Sequence, residues 1–503
     1  MTTTRAEFDA AATEGPVVTV IRSVFVDSVS PVALYSHITE GRPGTFLLES
    51  AEQGGIWSRY SFVGLSAWGC LTERDNRSVW LDHGLSEERA FGGPVPVKRL
   101  DALDSLYARW ASPAPIELPP LTSGLVGYLG WNTIREIENL PNAPSDESGV
   151  PAQSLLFVRD LLVFDHRTSL LHVATAVLVT DDRDGLWNSA QSRLDDITES
   201  LRTAVPLSPL TPPETTDPNP SHRTNPNQFL DSVARAQHFI RDGDVFQVVI
   251  SQRFDTDVNA SSTDVYRMLR ALNPSPYMYL LNLESADGVP FAVVGSSPEA
   301  LVKVANNRVF SHPIAGSRPR GETPERDALF AEGLLADVKE RAEHLMLVDL
   351  ARNDLSRVCT PGSVEVTEFM NVERFSHIMH LVSSVEGDLD PGATPIDVFR
   401  ATFPAGTLSG APKPRALEII DELEPAGRGV YGGVVGYIGF GGDSDLAIAI
   451  RTAVIVGTTV SVQAGAGIVA DSVPQSEYDE TVNKAAAPLR AIAAASAIRP
   501  ALD

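Results

Sequence analysis

Phe291-Ala292-Val293-Val294, then Leu301-Val302-Lys303-Val304, an Asn306-Asn307 turn and Val309-Phe310-Ser311-His312 form the stretch that decides the fold class. Short apolar, β-branched runs divided by turn residues read as successive strands, with no helix-length segment between them. Downstream, residues 324–357 have long helical patterning. Upstream, residues 227–241 place Phe229, Leu230, Val233, Ala236, Phe239 and Ile240 near helical spacing before Gly243, and residues 245–250 read as a strand. Strands grouped with strands, without regular β-α-β alternation, predict an α+β protein with large antiparallel sheets flanked by helices, not a doubly wound parallel sheet.

Working outward, residues 19–26, 44–48 and 155–163 are strand-like, the last forming a hairpin with residues 170–179 through a turn near 165–169. Residues 446–470 are the most apolar, but Arg451, Gln463 and scattered Gly suit strands better than a membrane span. Pro206, Pro209, Pro212, Pro213, Pro218 and Pro220, mixed with Ser and Thr, sustain neither helix nor sheet. The expected organisation is a regulatory and structural domain over residues 1–205, a linker over 206–226 and a catalytic domain over 227–503.

The chain has 503 residues, 43% of them apolar, which excludes disorder and allows more than one domain or one large composite core. A net charge of −25 argues against nucleic-acid surfaces and anionic membranes. An anionic substrate would therefore have to be held by localised positive charge, from a metal ion and a few placed Arg or Lys. Cys70 and Cys359 lack metal-ligand neighbours, so neither a zinc site nor a disulfide framework is expected, and a reducing cytoplasm fits. Glu7, Asp9 and Glu14 near the start make a secretory signal unexpected there.

Residues 403–413, Phe403-Pro404-Ala405-Gly406-Thr407-Leu408-Ser409-Gly410-Ala411-Pro412-Lys413, read as a rigid loop able to hold an anion on backbone N–H groups. Glu340 and Glu343 are three apart in a helical pattern, as are Glu477 and Glu480, so each pair shares a face. Either pair alone is also what a solvated helical face looks like. Ser472 and Gln475 match a capping box and Pro474 suits the first turn, with Lys484 one turn beyond Glu480. Four carboxylates converging from two helices would suit magnesium, which prefers octahedral oxygen ligands. Arg451 inside an apolar run is either an edge-strand cation or an anion-gripping guanidinium; His380 on its own reads as a core histidine.

Residues 403–413, together with Gly316-Ser317-Arg318-Pro319-Arg320-Gly321, Asp349-Leu350-Ala351-Arg352-Asn353-Asp354 and the segment bearing Glu477, Glu480 and Lys484, resemble the chorismate-utilising enzymes, most closely the anthranilate synthase component I group. The resemblance covers nearly the whole chain. It implies a fold with large sheets and an active site in the C-terminal part. It also implies that Glu340, Glu343, Glu477 and Glu480 bind magnesium, while Tyr431, Arg451, the Gly465-Ala466-Gly467 amides and Lys484 hold the substrate. Thr407 would contact substrate, Glu299 would protonate a departing hydroxyl, and His380 would serve the elimination step. Leu48, Glu49 and Ser50, with Pro274, Ser275, Pro276, Tyr277 and Met278, look like the two halves of a tryptophan feedback pocket.

Two positions discriminate between reactions. Relatives that add water to the ring carry a lysine base where this chain has Gln247; ammonia needs no such activation. Relatives that aminate the para position, the aminodeoxychorismate synthases, typically have a nucleophilic lysine where this chain has Ala315. Ortho amination of chorismate and loss of pyruvate to give anthranilate is the expected activity, with aminodeoxychorismate synthase as the alternative. Neither cysteine has a glutaminase context, so ammonia is expected from a separate amidotransferase subunit in a hetero-oligomer.

Overall fold

The computed structural model describes residues 2–26, 29–50, 59–113, 118–204, 207, 210–211, 218–374 and 378–500. Within these residues, strand pairing is antiparallel throughout and links twenty-one strands into one sheet network. Helices lie against it, as the grouping of strands with strands anticipates.

The hairpin expected near residue 165 forms between Gln153–Asp165 and Leu170–Leu178, turning through Ser169 at φ 56°. Gln153–Asp165 also pairs with the long strand Tyr60–Arg74, and Leu170–Leu178 with Val17–Phe25. In the C-terminal half Gln247–Asp257 pairs with Thr459–Ile468, and Pro290–Ser297 lies between Tyr277–Glu284 and Thr452–Val456. Ile378–Asp388 lies between Ile314–Pro319 and Glu365–Arg374. Two pairings join the halves: Thr45–Glu49 with Tyr277–Glu284, and Gly124–Leu129 with Val434–Gly439. Of the expected linker, residues 206, 208–209 and 212–217 lie outside the described residues, as does residue 205 at the preceding boundary; Ser221–His222 adds a short strand and the next helix starts at Pro226.

The apolar run over 446–470 divides into Ser444–Ile448, Thr452–Val456 and Thr459–Ile468. Leu446, Ile448, Ala466 and Ile468 pack with Val248, Ile250 and Phe399 in one core, while Ala453, Ile455, Val460, Val462 and Ala464 join a second. Burying each such large side chain contributes about 1.5–3 kcal/mol. Among the described residues no helix is long and apolar enough to cross a membrane.

Two local expectations need correction. Residues 324–357 are two helices, Pro324–Ala336 and Val338–Leu355, because Asp337 turns extended (ψ 114°) and its carboxylate accepts from the Lys339 and Glu340 amides. The Ser472/Gln475 capping box does not form. The helix Pro474–Ala497 has Val473 as N-cap; the Ser472 hydroxyl accepts from the Val469 amide at 3.1 Å and Gln475 donates to Asp479 at 2.9 Å. Pro474 does occupy the first turn.

Candidate active site

The strand pair Gln247–Asp257 and Thr459–Ile468 supplies the floor. Gly467 stands opposite Val249, Ala466 opposite Ile250 and Gly465 opposite Ser251. A methyl at Gly465 would lie 2.8 Å from the Tyr431 hydroxyl, and one at Gly467 would lie 2.7 Å from Gln247 Nε2. The two glycines thus let Tyr431 and Gln247 lie flat against the backbone. Gln247 is buried at the start of its strand, opposite Ala411.

Glu299 is partly buried just before Ala300–Ala305, with its carbonyl accepting from the Ile448 amide at 3.0 Å. Its carboxylate accepts the Thr407 hydroxyl at 2.8 Å. Loss of hydration pushes its carboxyl up to about 7, although the Thr407 bond and the Lys484 charge both act to lower it. A carboxyl so placed holds its proton near neutrality.

The loop over residues 403–413 presents Thr407 to Glu299. Its cation, Lys413, is used structurally, donating to Asp354 at 2.7 Å and to the Thr402 carbonyl at 3.2 Å. The Ser409 hydroxyl and amide both turn back to the Ala405 carbonyl. Those partners tie the loop to itself and to the helix Val338–Leu355.

Arg451 occupies the corner between Ser444–Ile448 and Thr452–Val456 in the left-handed region, at φ 51°. A non-glycine residue there is strained, and such strain concentrates at functional sites. Desolvation pulls its pKa down, with only the Tyr431 phenol opposing; no carboxylate among the described residues neutralises it. Burial raises the Tyr431 phenol, which stays a neutral donor. Lys484 reaches from the C-terminal helix, donating to the Gly465 carbonyl at 2.9 Å and pairing with Glu480 at 2.7 Å.

His380 stands on Ile378–Asp388 opposite Ser317, where the register slips at Gly316 (φ 68°). The bulge turns the Gly316 carbonyl to accept His380 Nδ1–H at 3.0 Å, which leaves the lone pair on Nε2. Desolvation, reinforced by the Arg451 charge, lowers the His380 pKa despite that bond, so the ring is neutral.

The two glutamate pairs approach from Val338–Leu355 and Pro474–Ala497. Burial raises the Glu343 carboxyl, followed by the charges of Glu340 and Glu480. Burial likewise raises Glu477, opposed by a Ser472 hydrogen bond and reinforced by Glu480. Glu340 is paired with Arg318 at 3.2 Å, and a methyl on Gly316 would touch its Oε2 at 3.0 Å. Among the described residues no three carboxylates are drawn together as a closed ligand set. The donor chemistry nonetheless fits a divalent cation: hard oxygens in mutual repulsion, which a cation between the helices would relieve, with Arg318 and Lys484 giving up their partners.

The strands Thr45–Glu49 and Tyr277–Glu284 bring the two halves of the other motif side by side. Glu49 lies opposite Met278 and Leu48 opposite Tyr279. Glu49 accepts the Tyr266 hydroxyl at 2.5 Å and faces Arg270 at 3.4 Å, while the Ser50 hydroxyl is buried with no hydrogen-bond partner among the described residues. Ser275 is buried, within 3.5 Å of the Asn273 amide. Pro274 is exposed, Pro276 is partly buried, and Tyr277 hydrogen-bonds Asp445.

Sequence reasoning missed Glu424 and Arg428, a fully buried ion pair beneath the loop and Tyr431. The i,i+4 spacing alone looks like a surface pair.

Comparison with known proteins points to one family. A model described as chorismate binding enzyme matches residues 86–490. Anthranilate synthase component 1 of Arthrobacter globiformis is 50% identical over 499 residues, covering 98% of this chain and 93% of the relative. That of Mycolicibacterium smegmatis is 50% identical over 506 residues, covering 99% and 95%. Among solved structures, anthranilate synthase component I from Streptococcus pneumoniae aligns with a TM-score of 0.73 at 36% identity, covering 87% of this chain and 94% of that one. The menaquinone-specific isochorismate synthase of Escherichia coli, at 20% identity, a TM-score of 0.68 and coverage of 96% and 99%, shares the fold. The chain belongs to the chorismate binding enzymes, and within them to the anthranilate synthase component 1 family.

Proposed function

We propose that this chain converts chorismate and ammonia to anthranilate and pyruvate, with magnesium held by Glu340, Glu343, Glu477 and Glu480. The observation that carries the reading is Glu299, a carboxyl pushed up to about 7 by burial, bonded to Thr407 and within electrostatic reach of Lys484 and Tyr431, the latter next to Arg451. As a neutral acid it can give its proton to the departing ring hydroxyl while ammonia attacks next to the ring carboxylate. Thr407 holds the carboxyl in place and accommodates the charge it acquires. Arg451 and Tyr431 offer a guanidinium fork and a phenol to a substrate carboxylate, with the Gly465–Gly467 backbone alongside. His380, held by the Gly316 carbonyl through Nδ1, is assigned the removal of the ring proton as pyruvate leaves. Bound magnesium would supply positive charge to the ring carboxylate as negative charge builds there.

Gln247 and Ala315 favour amination at the ortho position: neither can act as the base that water attack needs nor as a ring nucleophile. We assign the supply of ammonia to a separate amidotransferase subunit, because Cys70 and Cys359 are both buried and burial raises both thiols, to about 12 and about 11. We assign tryptophan feedback to the region around Ser50 and Met278, where the unpartnered hydroxyl and the Glu49 carboxylate could receive an amino acid. A cytoplasmic location fits two free cysteines. The purified chain should make anthranilate from chorismate with ammonium salts and fail with glutamine alone; turnover of glutamine by the isolated chain would refute the division of labour.

A further inference from the structure

Beneath the candidate site lies a charged pair that no substrate can reach. Glu424 follows the helix Lys413–Leu423, and its side chain is 3% exposed; that of Arg428 is 1% exposed. Their contacts run outward to separate segments of the site. Arg428 donates to the Leu408 carbonyl at 2.7 Å, next to Thr407, and to the Val249 carbonyl at 2.8 Å, opposite Gly467. Glu424 accepts the Ser251 amide at 2.7 Å and the Ser251 hydroxyl at 2.8 Å, opposite Gly465. The Arg428 carbonyl accepts the Tyr431 amide at 3.1 Å, and its guanidinium lies 4.3 Å over the Trp131 ring.

We infer that Arg428 and Glu424 are positioning residues that set the Thr407 turn, the glycine strand and Tyr431 in register with one another. The inference rests on the catalytic reading above. A planar guanidinium can bind Glu424 in a fork, two carbonyls from different segments and an indole face together, whereas an ammonium supplies one point of attachment. Mere stability is a weak reason for such a pair, since well-packed apolar replacements for buried ion pairs are often neutral or stabilising. What apolar replacements cannot do is hold the Leu408 carbonyl and the Ser251 amide at fixed points. The site tolerates little slack, because a displacement of about 1 Å can cost roughly 100-fold in rate.

The test compares Arg428→Lys with the double replacement Glu424→Leu/Arg428→Met, using chorismate, magnesium and ammonium, with thermal unfolding of the same samples. The expected result is a loss of roughly 10- to 100-fold in kcat/KM in both. The double variant should melt close to the parent, and in Arg428→Lys the alkaline limb of activity should move to higher pH, because Thr407 no longer holds Glu299 in one place. A double variant that both melts and turns over like the parent would overturn the inference. So would its failure to fold, which would make the pair a requirement of folding and not of site geometry. An inactive parent under these conditions would instead refute the catalytic reading itself.

Discussion

Thr407→Val removes one hydroxyl and keeps the shape, which isolates the 2.8 Å bond to Glu299. That bond favours the ionised carboxylate and so acts to lower a pKa that burial has pushed up to about 7. A hydrogen bond to a charged group contributes about 1.5–3 kcal/mol, and part of it persists when the acid is protonated. If about 1.4 kcal/mol is specific to the ionised form, its loss raises the Glu299 pKa by about one unit. The sign follows from the role: a general acid must be protonated, so activity falls as pH rises through its pKa. In Thr407→Val this alkaline limb should move to higher pH by about one unit. The plateau should fall roughly tenfold, because the carboxyl loses its orientation. Anthranilate fluorescence measures the rate, expressed per free ammonia, since ammonium itself titrates on the alkaline side. An alkaline limb that stays put, or moves to lower pH, would refute the assignment of Glu299 as the acid.

Arg451→Met should raise KM for chorismate by about 1.5–3 kcal/mol, roughly 10- to 150-fold, and Arg451→Lys should recover only part of it because the fork is lost; a KM unchanged in both, from steady-state kinetics, would return Arg451 to a structural role. Ser50→Phe replaces a buried hydroxyl beside Glu49 with a bulky ring. It should raise the tryptophan concentration for half-inhibition at least tenfold, with uninhibited turnover nearly intact; unchanged inhibition would remove Ser50 from the regulatory site.

The sheet architecture was legible because strand residues alternate or run apolar and are punctuated by turn residues over short distances. Residues 446–470 show this best: Arg451 interrupts them, and the structure turns a corner there. The break at Asp337 was legible in principle, since an Asp three residues before Glu340 is an N-cap signal, but the helical pattern on both sides masked it. The capping box at Ser472 failed because its two side chains found nearer partners in Val469 and Asp479. Lys413 could not be assigned from its own loop, since its partner Asp354 lies in another helix. The same holds for Glu424 and Arg428, whose spacing suggests a solvated surface while tertiary packing buries both. Pairing of the Ser50 and Met278 segments was suggested by resemblance alone, and strand register then brought them together.

The central claim is that carboxylates from two helices, with a protonated Glu299, direct amination of the ring. Its most direct test is to incubate the purified chain with chorismate and ammonium, with magnesium or with excess EDTA, and identify the products by mass. Anthranilate and pyruvate in equal amounts with magnesium, and neither with EDTA, is the predicted result. A product that retains the ring hydroxyl or carries nitrogen at the para position, or full turnover in EDTA, would contradict the account.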